Sequence, residues 1–147
     1  MTRQPTLFIV RGLPGSGKST VAEAIGGTVR AADDFFMVDG KYRFNPRQLP
    51  QAHAACQAAV DKDMAEWSRA VVANTFTCRW EFEPYLDIAD SHGARIVVVD
   101  CFDAGMTDEE LAEKNVHGVP VEAIRAMRQR WEADWRSGDP RPPWERE

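Results

Sequence analysis

Residues 7–24 read Leu-Phe-Ile-Val, then Arg-Gly-Leu-Pro-Gly-Ser-Gly-Lys-Ser-Thr, then Val-Ala-Glu-Ala. A short apolar strand therefore runs into Gly-x-x-x-x-Gly-Lys-Ser and straight on into a helix-forming stretch. Gly12, Leu13, Pro14, Gly15, Ser16, Gly17, Lys18, Ser19 and Thr20 form the predicted nucleotide-binding loop. Glycines allow the backbone to turn its N–H groups inward around a polyphosphate, and the following helix aims its positive end at the same charge. Lys18 is predicted to reach the terminal phosphates and Ser19 to hold Mg²⁺.

The rest of the chain alternates in the same way. Runs at Leu7 to Val10, Thr28 to Ala32, Ala70 to Ala73 and Arg95 to Phe102 are short, and most are rich in Val and Ile. Helical patterns separate them, which predicts a parallel sheet covered on both faces, a three-layer α/β/α fold of the P-loop NTPase type. Leu49 to Trp67 carries Ala52, Ala55, Cys56, Ala59, Val60 and Met64 on one stripe. Further helices are expected from about Glu83 to His92, from about Asp108 to Asn115, and after Pro120. The last shows Ile124, Met127, Trp131 and Trp135 as an apolar stripe, read as core. A length of 147 residues suits one domain, here residues 1–136, followed by an extended Pro-rich tail over 137–147.

Charge and composition narrow the partners. A net charge of −5 argues against a generally basic nucleic-acid coat, although a local basic patch still acts within a Debye length. The three cysteines, Cys56, Cys78 and Cys101, are odd in number and lack metal-ligand spacing, which predicts ordinary thiols in a reducing cytoplasm. No apolar run approaches membrane-spanning length, and the N-terminus lacks a signal-peptide pattern, so a soluble cytoplasmic protein is expected.

In an open α/β sheet the ligand lies beyond the carboxyl ends of the strands, which singles out Asp33-Asp34, Asn74-Thr75 and Asp103 besides the loop. Transfer of a phosphoryl group to an alcohol needs a carboxylate that accepts the hydroxyl proton late in a loose transition state. Asp33 and Asp34 stand in the right place, and adjacent residues cannot both point at one target. One is expected to be the base, the other to cap or to bind metal through water. The segment Phe35 to Pro46 follows, with Asp39-Gly40 as a hairpin turn. Alternation puts Lys41 and Arg43 on one face and Tyr42 and Phe44 on the other. That pattern fits either a phosphodiester-binding platform or a small lid closing the core. The stretch from Ala112 to Pro120 joins two helices where a lid is expected, with Lys114 as the candidate for a cation approaching the transferring phosphate and Arg79, Arg125 and Arg128 as alternatives. His117 reads as a turn residue.

With these residues assembled, the chain resembles the polynucleotide-kinase-like group of small P-loop kinases from Leu7 to about Trp135. The strings that carry the likeness are Arg-Gly-Leu-Pro-Gly-Ser-Gly-Lys-Ser-Thr, Ala-Asp-Asp-Phe-Phe, Phe-Asn-Pro followed by Ala-His, Asn-Thr-Phe-Thr with Trp80-Glu81 and Pro84-Tyr85, and Lys-Asn-Val-His-Gly-Val-Pro. Within that group it looks most like the compact phage enzymes that phosphorylate 5-hydroxymethyluracil in DNA. The resemblance implies ATP and Mg²⁺ as cofactors and DNA as substrate, with Asp33 as base assisted by Lys18 and Lys114. It implies that Asn74 and Thr75 line the acceptor pocket; Asp34, Lys41, Arg43 and Arg79, read from the residues themselves, complete the expected acceptor site, and Mg²⁺ is expected on Ser19 with Asp34 through water. Many relatives have an acidic residue before the Asn-Thr pair, where this chain has Ala73. The metal shell must then rely on Ser19, waters and Asp34 or Asp100. A small-molecule hydroxyl kinase and a non-catalytic nucleotide-binding module are the competing functions.

Overall fold

The computed structural model describes residues 4–146. In chain order its elements are β1 (Thr6–Gly12), α1 (Lys18–Ile25), β2 (Val29–Arg30), a 3₁₀ turn (Ala32–Phe36), β3 (Met37–Val38), β4 (Lys41–Tyr42), a 3₁₀ turn (Pro46–Gln48) and α2 (Leu49–Trp67). There follow β5 (Arg69–Asn74), α3 (Arg79–Ser91), β6 (Arg95–Phe102), α4 (Asp108–Lys114), α5 (Val121–Arg130), and 3₁₀ turns at Trp135–Ser137 and Pro143–Glu145. Four strands form one parallel sheet in the order β2-β5-β1-β6, and β3 and β4 make a separate antiparallel hairpin.

Strand alternation divides the core. Leu7 and Ile9 of β1, Ala70 and Val72 of β5, and Ile96 and Val98 of β6 face α2 and α3, where Ala52, Val60, Met64, Phe82 and Tyr85 meet them. Val10, Val71, Ala73 and Val99 face the opposite way, onto Val21, Ala22 and Ile25 of α1. A third cluster, Leu13, Leu111 and Ile124, packs α4 and α5 over the carboxyl end of β1. The layered α/β/α arrangement read from the sequence is the one observed.

Three boundaries differ, two for long-range reasons and one through a local cap. β2 shrinks to Val29–Arg30 because Arg30 forks onto Asp63 of α2 with both bonds at 2.8 Å, and the chain turns at once. α3 begins at Arg79 rather than Glu83. Glu81 reaches back to the N–H groups of Thr77 and Cys78 and so starts the helix early, leaving Pro84 in its second turn. α5 ends at Arg130, so Trp131 and Trp135 lie beyond it. The Glu132 N–H donates to the Thr77 carbonyl at 2.8 Å, and the Glu132 carbonyl accepts from Arg11 at 2.9 Å, which pulls the backbone out of helix. Trp135 still serves the core, stacked on Phe82 at 4.1 Å.

Arg11 is the element tying these pieces together. It is fully buried, donates to the carbonyls of Phe76 and Glu132, pairs with Asp100 at 3.2 Å, and lies 3.9 Å over the Trp131 ring. A guanidinium supplies five donors in a rigid fork, and no other side chain satisfies that many carbonyls at once.

Candidate nucleotide and acceptor site

The loop from Gly12 to Ser19 joins β1 to α1 with its backbone held from below. The Leu13 N–H donates to Phe102 O at 2.9 Å and the Ser16 N–H to Leu13 O at 3.0 Å. Gly15 and Gly17 have φ of 84° and 88°, a region costly for side-chain-bearing residues. A Cβ at Gly15 would also run into the Leu111 carbonyl of α4. Gly15→Ala is therefore expected to displace α4 and weaken triphosphate binding together, to be checked by calorimetry and thermal melting on one preparation.

Lys18 opens α1 and is half-buried, which pushes its ammonium below the usual lysine range, while the Asp33 charge partly offsets that burial. A polyphosphate would restore the proton affinity. The bound pKa then lies above the free one, so triphosphate affinity falls as pH rises through the lowered free-state value and is flat below it. Calorimetric affinities across the alkaline range check the sign, with Lys18→Arg flattening the curve.

Asp33 and Asp34, in the 3₁₀ turn after β2, face different ways. Asp33 Oδ1 accepts the Tyr42 hydroxyl at 2.9 Å, and its other oxygen is 3.6 Å from His117 Nε2. Asp34 accepts the Ala31 N–H at 3.2 Å and lines a cavity of about 180 Å³ against Ala52, Ala55, Cys56 and Ala59 of α2. Asp34 thus caps the turn, one of the two roles the sequence left open to it. Asp100 is likewise engaged, with Arg11 and with the Phe102 N–H at 2.9 Å.

Asn74 ends β5, and its Oδ1 accepts the Ala32 N–H at 2.9 Å. It braces the turn carrying Asp33 rather than opening toward an acceptor. Asn74→Ala should cost about 1–3 kcal/mol in denaturant melts through the unpaired Ala32 N–H. Thr75 follows it, half-buried.

The candidate cations separate cleanly. Arg79 is spent on Glu83 and on the Arg136 carbonyl at 2.8 Å, which removes it from the acceptor set and ties down the C-terminal segment instead. Arg125 pairs with Asp108 and Glu109, and Arg128 with Asp103 and Asp108. Lys114, exposed at the end of α4, makes no ion pair among the described residues.

The hairpin follows its sequence pattern. Asp39 and Gly40 have φ of 52° and 77°, as a two-residue turn with both centres left-handed requires. Tyr42 and Phe44 pack against Phe36, while Lys41 and Arg43 are exposed. Phe44 itself remains 52 % exposed, so the arm presents aromatic and basic surface together.

A family model described as an AAA domain matches residues 7–133. The chain belongs to this AAA domain family. It is 32 % identical over 128 residues to human NEDD4-binding protein 2, covering 82 % of this chain and 7 % of that relative's length. Among solved structures, the Pnkp1/Rnl/Hen1 RNA repair complex contains a chain of similar fold, with a TM-score of 0.65 at 19 % identity, covering 88 % of this chain and 45 % of that one. A gluconokinase from Sinorhizobium meliloti gives a TM-score of 0.51 at 22 % identity, covering 97 % and 80 %.

The AAA domain's loop suits a polyphosphate on its own evidence. Ser16 Oγ is buried there without a partner, and Lys18 is half-buried. For a divalent cation the domain supplies less. Ala73 is apolar and buried, and the described residues contain no cluster of three His, Cys, Asp or Glu placed to hold a metal. A Mg²⁺ there fits Ser19 with phosphate and water oxygens, the usual low-protein shell for this ion. Among the described residues no helix of the domain is long and apolar enough to cross a membrane. His117, absent from the sequence-derived site, stands beside Asp33. Only the tertiary fold brings these residues together across 84 positions of chain.

Proposed function

We propose that this domain is an ATP-dependent kinase that transfers the γ-phosphate to a hydroxyl carried on nucleic acid, either a polynucleotide 5′-hydroxyl or the 5-hydroxymethyl group of 5-hydroxymethyluracil. The observation that carries the reading is Asp33, held by Tyr42 and close enough to Lys18 for its charge to act there. The loop amides and Lys18 hold the triphosphate, and Asp33 accepts the proton as the acceptor oxygen bonds to the γ-phosphorus and the bridging P–O bond breaks to release ADP. When bound at Ser19, Mg²⁺ supplies charge neutralisation of the phosphate oxygens. Catalysis of this type is positioning plus electrostatics, so Lys114 at the α4 terminus is assigned the approach to the transferring group.

The hairpin supports a polymeric acceptor, because Lys41 and Arg43 suit phosphodiesters and the exposed Phe44 suits a stacked base. A hydroxymethyl base inside a duplex would have to leave the stack to reach Asp33, whereas a 5′ end needs only a channel. The test is labelled ATP with four acceptors: hydroxymethyluracil DNA with blocked ends, plain DNA with free 5′ ends, RNA with free 5′ ends, and plain DNA with blocked ends. Label on any of the first three but not the last supports the reading, and label on none removes it.

A small-molecule acceptor is the second reading, favoured by the fold likeness to a gluconokinase. Lys41→Glu with Arg43→Glu separates the two. Polymer phosphorylation should fall sharply, with acceptor binding strongly salt-dependent in the wild type, whereas a small-molecule kinase would be unaffected.

A further inference from the structure

We propose that His117 is a positioning residue for Asp33, presented by a preformed loop that touches the phosphate-binding loop at its other end. This rests on the reading of Asp33 as proton acceptor. Tyr42 donates to Asp33 Oδ1 at 2.9 Å, and His117 Nε2 stands 3.6 Å from the other oxygen. The two rings lie 4.2 Å apart and are tilted by 33°, so the histidine packs on the tyrosine that holds Asp33 and stands beside the free carboxylate oxygen. An unheld aspartate in a half-exposed turn samples several rotamers. A carboxylate bonded on one side and flanked on the other is confined to fewer of them, and that confinement is what effective proton transfer requires.

The loop is built for this. The Asn115 Nδ2 donates to the carbonyls of Ala112 at 2.9 Å and Val119 at 3.0 Å, while Oδ1 accepts the Val119 N–H at 2.8 Å. One side chain thereby closes residues 115–119 into a fixed arch with His117 near its apex and Gly118 at φ 70°. The start of the same arch lies on the donor side, because Leu111 O and Asn115 N are the atoms nearest a Cβ position at Gly15. The arch therefore spans from the phosphate loop to the acceptor carboxylate. Its ring also buries Nδ1 without a partner, a cost that a purely space-filling side chain would avoid.

His117→Phe, His117→Gln and Asn115→Ala are to be compared with the wild type and Asp33→Asn. Two acceptors are read: the 5′-hydroxyl of an oligonucleotide, and water, seen as slow phosphate release from ATP. Melting curves and Mg·ATP calorimetry accompany each variant. His117→Phe should lower kcat about 10- to 100-fold with the KM for ATP unchanged. His117→Gln, which restores an N–H near the Nε2 position, should recover most of it, and Asn115→Ala should reproduce the Phe defect with His117 intact. Wild-type kcat in His117→Phe overturns the proposal. So do equal losses in Phe and Gln that track a lowered melting temperature, the mark of packing alone. Phosphate release that depends on Asp33 and His117 without any labelled oligonucleotide supports the positioning role and rejects the nucleic-acid acceptor. Wild-type inactivity toward both acceptors rejects both.

Discussion

Asp33→Asn is expected to lower phosphoryl transfer by about 10² to 10⁴ while Mg·ATP still binds. The substitution is nearly isosteric, and an asparagine Oδ1 still accepts the Tyr42 hydroxyl that holds Asp33 at 2.9 Å. The turn is braced separately, by Asn74 on the Ala32 N–H and by Asp34 on the Ala31 N–H. Fold and geometry therefore survive, and what disappears is the ability to take a proton. Single-turnover assays with the nucleotide saturating read that loss as kcat. A domain that only senses nucleotide would keep its function in this variant, so equal turnover in the two proteins removes Asp33 from the mechanism.

Arg11→Ala is expected to destabilise the domain by about 3–5 kcal/mol through carbonyls left unpaired and the cavity it leaves, a large share of the roughly 5–15 kcal/mol that keeps a domain folded. Asp100 loses its partner, and the carbonyls of Phe76 and Glu132 lose their donors inside the protein. The Trp131 ring loses the cation 3.9 Å from its centre. Phe76 itself sits at φ 46°, a strained conformation for an aromatic residue that Arg11 holds in place by donating twice to its carbonyl. Arg11→Lys keeps the charge but not the fork, and should lose most of the same stability. Urea midpoints at constant m-value measure both. Values within about 1 kcal/mol of wild type would mean that the guanidinium network contributes little.

How far the sequence foretold this molecule depends on the reach of each interaction. β1, the loop and α1 were legible because strand periodicity, glycine freedom and a Lys-Ser pair all act within about 20 residues. The hairpin was legible through Asp39-Gly40 alone. The end of α5 failed because its partners lie far away: Glu132, more than 50 positions from Thr77, ends the helix, and Arg11 fixes the same segment. The start of α3 failed for a local reason, the Glu81 cap on Thr77 and Cys78. The readings of Asn74 and Arg79 change in the same manner. Asn74 looked like an acceptor ligand because it follows a strand, yet its amide is used against the backbone of Ala32. Arg79 looked free and is consumed by Glu83 and Arg136. His117 looked like a turn residue because nothing local distinguishes it, and it becomes part of the site only when the arch after α4 folds over Tyr42. The Lys-Asn-Val-His-Gly string was visible, but its meaning required knowing that Asn115 bonds across the loop to Val119.

Residues 12–19 are assigned as an amide-lined cradle for a triphosphate, with the half-buried Lys18 at its head. Isothermal titration of the wild-type domain with Mg·ATP tests that assignment most directly. Saturable binding at one site, lost in Lys18→Ala, is the result expected. An absence of binding heat at several temperatures, or identical isotherms for the wild type and Lys18→Ala, would contradict the account at its base.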